Sequence, residues 1–148
     1  MNHYISTPGA ATSNFFLMNV KIDTKGKFAV ITPLVADVTA NMTGELKDML
    51  LDYLQKDIPH VILRMTDVIN IDEQACKMLA DVQQQFYDQH CSFVICELQK
   101  EVKDKLDKLE LLEILNVTLT ESEAWDIVQM EEIERELMSD MDDPAPAS

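Results

Sequence analysis

The stretch Ile69-Asn70-Ile71-Asp72-Glu73-Gln74-Ala75 connects a predicted apolar strand, residues 60–65 (HVILRM), to an amphipathic helix. The helix is predicted from apolar residues that are spaced for one helical face, namely Ala75, Cys76, Leu79, Val82 and Phe86. Loops at the carboxyl ends of strands bind ligands and partners in α/β proteins, and the free N–H groups of a helix start favour negative charge. The carboxylates of Asp72 and Glu73 therefore mark a candidate binding site.

The rest of the chain alternates short apolar runs with amphipathic segments. A Gly-containing connection at 23–27 predicts a hairpin, Thr43 is predicted to cap the first helix, and Thr120 with Glu123 forms a capping box before the last helix. Strands are predicted at 15–22, 28–31, 60–65, 92–96 and 116–119, and helices at 44–56, 72–90, 101–109 and from 121 onward. This order predicts an α/β fold with a mixed sheet of about four to five strands, covered by about four helices.

The chain is predicted to form one domain between two terminal segments. Residues 1–13 are small and polar and contain Gly and Pro, so we predict a mobile N-terminal arm. Residues 14–138 are predicted to form the domain. Residues 139–148 contain Pro144 and Pro146 and are predicted to be a disordered acidic tail.

The charge of the chain limits its partners. It has 27 acidic and 12 basic residues, a formal net charge of −15, and residues 121–148 contain ten acidic residues and one basic residue. Such a field repels nucleic acid and anionic membranes and attracts basic protein surfaces, although a solvated helix face is the plainer interpretation. Because there is no apolar run of about 18 residues and no secretory leader pattern, we expect a cytoplasmic protein without membrane insertion.

Cysteine, histidine and glycine positions do not suggest a metal, cofactor or catalytic site. Cys76, Cys91 and Cys96 have no CxxC or CxxxH spacing, which predicts free thiols in a reducing compartment. The chain has 3 glycines, too few for a phosphate-binding loop. Asp67 follows a buried strand, as in a receiver domain, but the first strand runs into a hairpin without the acidic pair that such a domain needs. We therefore interpret Asp67 as a turn residue.

The 69–75 stretch also has the order of a known family motif. Ile71, Asp72, Glu73, Gln74 and Ala75 stand where the STAS domain of bacterial anti-sigma factor antagonists has Ile-Asp-Ser-Ser/Thr-Gly, and the chain resembles that family over residues 15–133. Further similar positions are Ala36, Val38, Thr39, Leu46, Met78, Leu79, Val102, Leu106, Leu111, Ile114, Ser122, Glu123 and Ala124. The resemblance implies a STAS fold and a regulatory protein-binding function.

The main departure from the family lies in the same motif. In the antagonists, a hydroxyl just after the aspartate is phosphorylated by a partner kinase of the histidine-kinase-like type, which switches partner binding off. Here Glu73 and Gln74 provide no hydroxyl, so the resemblance implies that this switch is absent. Glu73 either imitates the phosphorylated state, belongs to an adaptor that is always active, or only complements the helix dipole, alone or in a capping box with Asn70.

We therefore predict a non-enzymatic module without a cofactor or metal, whose partner is a protein such as a histidine-kinase-like anti-sigma factor. The predicted contact residues are Asp67, Asn70, Asp72, Glu73, Gln74 and Met78. The main alternative is a cytoplasmic accessory subunit of a membrane transporter of the ABC type. A small-molecule sensor or hydrolase would instead need a deep pocket with converging polar groups.

Overall fold

The computed structural model describes residues 2–5, 19–57 and 59–142, with side chains described over 19–57 and 59–138. Its strands are β1 (Asn2–Ile5), β2 (Val20–Lys25), β3 (Phe28–Pro33), β4 (Asp37–Val38), β5 (His60–Arg64), β6 (Asn70–Ile71), β7 (Phe93–Cys96) and β8 (Val117–Thr118). Its helices are α1 (Ala40–Asp52), α2 (Glu73–Asp88), α3 (Lys100–Lys108) and α4 (Glu121–Asp142), with a 3-10 turn, Tyr53–Gln55, after α1. The predicted α/β fold class is confirmed.

Within the described part of the chain, six strands form one mixed sheet in the order β1-β2-β3-β5-β7-β8, and β4 pairs separately with β6. β1, β2 and β3 are antiparallel, whereas β3, β5, β7 and β8 are parallel. The parallel part follows from the β-α-β order, because each crossover returns the chain to the same end of the sheet. The carboxyl ends of the parallel strands therefore share one edge, which we call the carboxyl edge, and the 65–72 connection lies there.

The N-terminal strands differ from the prediction in two ways. Asn2–Ile5, predicted as part of a mobile arm, pair with residues 20–23 of β2. β2 continues to Lys25, so the hairpin turn is shorter than the predicted 23–27 loop. Gly26 stands in this turn at φ +40°, a backbone conformation that suits glycine because it has no Cβ. Residues 15–18 of the first predicted strand lie outside the described residues.

Two helix boundaries also differ from the prediction. α1 begins at Ala40 rather than at residue 44, and the predicted cap residue Thr43 lies inside the helix, where its hydroxyl donates to the Thr39 carbonyl (3.3 Å). The first N–H of α1, that of Ala40, donates to the side chain of Asp72, 32 positions further along the chain. A local sequence pattern does not reveal such a contact. α4 continues to Asp142, so residues 139–142 are helical where we predicted a disordered tail.

Apolar cores cover both faces of the sheet. Successive strand residues point to opposite faces, so Leu63 joins the core beneath α1, α2 and α3, whereas Ile62 joins the core beneath α4. The three cysteines are free, and two of them are buried in these cores. Burial raises the pKa of Cys76 to about 11 and that of Cys96 to about 12. Both thiols therefore stay protonated and are poor nucleophiles.

Candidate partner-binding site

The connection between β5 and α2 is held in place by backbone hydrogen bonds. The N–H groups of Ile69 and Asn70 both donate to the carbonyl of Ala36, at 2.7 and 3.0 Å. β4 and β6 pair in parallel, and the buried side chains of Val38 and Ile71 anchor this pair to the core. The predicted site therefore has a fixed backbone.

Asp72 joins the starts of two helices. Its Oδ2 accepts a hydrogen bond from the N–H of Ala40, the first residue of α1, at 2.6 Å. Its carbonyl accepts from the N–H of Cys76 in α2 (3.0 Å), and its own N–H donates to the Val38 carbonyl (2.9 Å). A carboxylate at a helix start satisfies a free N–H and complements the helix dipole. Asp72 is thus a cap, but its side chain caps α1 and not α2.

Glu73 and Gln74, the first two residues of α2, are exposed. Glu73 Oε2 lies 3.1 Å from Lys77 Nζ, in an i,i+4 pair whose side chains are 57% and 64% exposed. Such a pair contributes about 0.3–0.5 kcal/mol, so the carboxylate remains available to a partner. The prediction of a capping box between Asn70 and Glu73 is wrong. Asp72 is the N-cap residue of α2, and the N–H of Asn70 donates to the carbonyl of Ala36.

Met78 does not belong to this surface. Its side chain is 5% exposed and lies in the core between α2 and the sheet. Met78 directly precedes Leu79 on the helix face that packs inward, so its burial follows from helix geometry. This finding corrects the prediction that Met78 contacts a partner.

The other predicted residues all lie on the exposed side of the connection. Asp67 stands in a turn, as predicted, and the half-exposed Ile69 lies between it and the helix start. The Asn70 amide donates to Asp37 Oδ1 at 2.9 Å. We call the exposed set the carboxyl-edge surface; its members are Asp67, Ile69, Asn70, Asp72, Glu73 and Gln74.

Glu97, directly after β7, connects the neighbouring loops of the carboxyl edge. Its carboxylate accepts hydrogen bonds from the Thr66 hydroxyl (2.6 Å), Arg64 Nε (3.2 Å) and the N–H of Glu121 (3.2 Å). The Thr66 hydrogen bond and the Arg64 charge hold the pKa of Glu97 below its usual range, against the effect of burial. Its φ of 59° is uncommon for a residue with a Cβ. Sequence reasoning missed Glu97, although a carboxylate directly after a buried strand was a usable signal.

The opposite edge of the sheet has an open cleft. Its volume is about 630 Å³ and it is broadly exposed to solvent, unlike the deep pocket that a sensor or hydrolase would need. It is lined by Pro59, His60, His90, Cys91, Glu132, Arg135 and Glu136. Among the described residues, no group of three or more His, Cys, Asp or Glu is placed to hold a metal ion, and no helix is long and apolar enough to cross a membrane.

A family model for the STAS domain matches residues 19–124. The chain belongs to the STAS domain family. The matched region begins just before β2 and ends within α4, so it contains the whole carboxyl-edge surface of this STAS domain. No curated protein matches the sequence.

Solved structures share the STAS fold at low sequence identity. An anti-sigma factor antagonist domain protein from Planctomyces limnophilus has a TM-score of 0.65 and 15% identity, covering 74% of this chain and 97% of that chain. A serine-to-glutamate variant of RsbS from Moorella thermoacetica has a TM-score of 0.64 and 16% identity, covering 78% and 97%. The murine anion transporter Slc26a9 has a TM-score of 0.60 and 14% identity, covering 70% of this chain and 18% of the transporter. At these identities the similarity establishes the fold alone.

Proposed function

We propose that this STAS domain is a non-enzymatic regulatory module that binds a protein through its carboxyl-edge surface. The observation that supports this most strongly is the position of Asp72, whose hydrogen bond to Ala40 fixes two helix starts while Glu73 and Gln74 remain exposed. A backbone that is already ordered loses little conformational entropy on binding. The half-exposed Ile69 adds apolar contact area beside the charged residues.

The proposed module lacks the phosphorylatable serine of the antagonists that it resembles. Glu73 and Gln74 stand where the family motif has hydroxyls. A glutamate cannot accept phosphate there, and its single charge is smaller than the charge of about −1.5 to −2 on a phosphoserine. The hydroxyl of Thr66, on the same edge, donates to Glu97. Partner binding is therefore not switched by a phosphate at these two positions, and the carboxylate of Glu73 does not depend on a kinase.

The proposed partner is an anti-sigma factor of the histidine-kinase-like type, which would give this cytoplasmic module a role in transcription regulation. The protein from Planctomyces limnophilus supports this partner class, because it is described as an anti-sigma factor antagonist domain protein. The match covers 97% of its chain, so the two proteins share the fold over a whole domain. The acidic character of the chain favours a partner with a basic contact surface.

A second candidate is an accessory subunit of a membrane transporter. The similarity to Slc26a9 favours it, since part of that anion transporter shares this fold. In this case the same surface would bind a transporter subunit instead of a soluble kinase.

Affinity capture from an extract of the source cells, with the full chain as bait, tests the proposal and separates the two candidates. We expect mass spectrometry to identify a histidine-kinase-like ATPase that the Glu73→Lys bait no longer captures. Capture of a membrane transporter ATPase would support the second candidate. Asp52→Lys is the matched control, because Asp52 and Lys56 form an i,i+4 pair (3.2 Å) that is also exposed, at the far end of α1. Equal capture by all three baits would contradict binding at this surface.

A further inference from the structure

The outer face of α4 exposes a line of apolar side chains. Met130, Ile133 and Leu137 are 57%, 55% and 57% exposed, and their spacing of three and four residues aligns them along the helix. Ala124 and Val128, on the opposite side of α4, pack against the sheet. α4 therefore has two apolar faces, an inner one covered by the sheet and an outer one open to solvent. We call Met130, Ile133 and Leu137 the outer stripe.

Further exposed apolar groups lie beside the outer stripe. Tyr87 and Met138 are exposed and line a cleft of about 510 Å³ between the ends of α2 and α4. Single apolar residues on a protein surface are ordinary, but a row of them that is rimmed by polar residues marks an interaction site. The C-terminal half of α4 thus has the properties of a helix that packs against a partner.

Acidic side chains border the outer stripe. Glu123 and Glu134 are exposed along one side of it and Glu136 along the other, whereas Asp126 lies in line with it, one turn before Met130. Arg135 is the one basic residue of α4, but it turns inward: its Nη2 donates to the Ser92 hydroxyl at 2.6 Å and lies 3.6 Å from Glu131 Oε1. The outer stripe is therefore an apolar line between acidic rows.

We propose that the outer stripe binds a basic amphipathic helix of a partner protein. The spacing of Met130, Ile133 and Leu137 is that of successive a and d positions in a coiled-coil seam, into which apolar residues of a second helix pack. Lysine or arginine residues that flank the partner's apolar face would pair with the acidic rows. A second copy of this chain is a poor occupant, because its acidic rows would face identical acidic rows. This site is separate from the carboxyl-edge surface and does not depend on the function proposed there.

A designed peptide tests the proposal directly. The probe is a labelled helix of three heptads with leucine at a and d and lysine at e and g, titrated with the full chain while its fluorescence anisotropy is measured. A peptide of the same composition in scrambled order has no apolar face and measures the nonspecific attraction of lysine to an acidic protein. We expect the designed peptide to bind at least about tenfold more tightly than the scrambled one.

Variants of the full chain then locate the binding site. The double substitution Ile133→Ser with Leu137→Ser should weaken binding of the designed peptide by about tenfold or more, and circular dichroism verifies that the fold is kept. Leu119→Ser is the matched control, because Leu119 is 74% exposed but precedes α4. This variant should bind the designed peptide with the same affinity as the wild type.

Three results would overturn the proposal. The first is equal affinity of the designed peptide for the wild type and the double variant, and the second is equal affinity of the designed and scrambled peptides for the wild type. The third is a dimer of the full chain in analytical ultracentrifugation that the double variant converts to a monomer, since the occupant would then be a second copy. None of these results depends on Glu73, so a failure here is distinguishable from a failure of the carboxyl-edge proposal.

Discussion

At the scale of single residues, the carboxylate of Asp72 holds the carboxyl edge together. Its hydrogen bond to the N–H of Ala40 connects residues 32 positions apart. Neither Thr39 at the N-cap of α1 nor Asp72 at the N-cap of α2 forms a side-chain cap for its own helix. Asp72 therefore has a structural role, whereas the exposed Glu73 and Gln74 remain free to serve a partner.

We predict that Asp72→Ala lowers the free energy of unfolding by about 1 kcal/mol, because the N–H of Ala40 loses its acceptor. Asp72→Asn should lose less, since its amide oxygen can still accept this bond. Urea denaturation measures both, with Asp67→Ala as the control at an exposed turn residue of the same connection. An Asp72→Ala variant as stable as the wild type would contradict the structural role.

Glu97 offers a second residue-level test. Replacing it with alanine removes the acceptor of the Thr66 hydroxyl and of the Glu121 N–H. We predict that Glu97→Ala lowers the free energy of unfolding by about 1–3 kcal/mol and that Glu97→Gln, which keeps one acceptor oxygen, lowers it less. If urea denaturation gives Glu97→Gln a lower free energy of unfolding than Glu97→Ala, the hydrogen bonds of Glu97 are not the source of the stability.

At the scale of elements, α4 is fixed to the amino ends of the parallel strands by a polar cluster. The Ser92 hydroxyl donates to Glu131 Oε1 in α4 at 2.6 Å, and the N–H of Ser92 donates to His60 Nδ1 at 3.1 Å. The second bond requires Nδ1 without a proton. Burial lowers the pKa of His60, and the Arg135 charge lowers it further. Acid should therefore break the hydrogen bond between His60 and Ser92, the residue to which α4 is bound.

We predict that the free energy of unfolding decreases as the pH falls below about 6.5, the ordinary pKa of histidine. In the folded protein Arg135 and Lys27 oppose the charge on His60, whereas Glu131 and Glu132 favour it, and the net direction is downward. The unfolded chain then binds more protons than the folded one, so this contribution is complete above about pH 6.5 and is lost below it.

The variant His60→Asn keeps an acceptor near the N–H of Ser92 but does not titrate. Its decrease in stability between about pH 7.5 and pH 5.5, measured by urea denaturation, should be smaller than that of the wild type. An equal decrease in both proteins would assign the acid sensitivity to other groups.

At the scale of the whole molecule, local patterns predicted most of the sheet and the central helices. β5 and β7 are short apolar runs because helices cover both of their faces. The stripe from Ala75 to Phe86 predicted α2 because helical spacing directs those side chains to one core. The cap of α4 was also predictable in part: the Thr120 hydroxyl accepts from the N–H of Glu123 (3.1 Å), but the Glu123 carboxylate reaches back to the N–H of Leu119 (3.0 Å), one residue before the cap residue.

Features that depend on contacts distant in sequence were not predictable from local patterns. The start of α1 depends on Asp72, and β1 is fixed by its pairing with β2. Glu97 has its role because Thr66 and Glu121 converge on it in the fold. For the candidate site, the residue types at positions 67–74 predicted an exposed polar connection, whereas the prediction of Met78 as a contact was avoidable, because Met78 lies on the inward face of α2 that the apolar stripe already indicated.

The net charge of −15 also acts on the whole molecule. Like charges repel each other more in the folded chain than in the expanded one, and salt screens this repulsion. Exposed pairs such as Glu73 with Lys77 contribute too little to reverse the effect. We therefore predict that the melting temperature rises when NaCl is increased from about 0.05 to 0.5 M. A fall would indicate that attractive ion pairs dominate the surface.

The most direct test of the carboxyl-edge surface is the affinity of the captured partner for three purified proteins: the wild type, Glu73→Lys and Asp52→Lys. Isothermal titration calorimetry measures this affinity, and urea denaturation verifies that the three stabilities agree within about 1 kcal/mol. We predict that Glu73→Lys binds at least about tenfold more weakly than the wild type and that Asp52→Lys binds as the wild type does. Equal affinity of the wild type and Glu73→Lys would contradict partner binding at the carboxyl-edge surface.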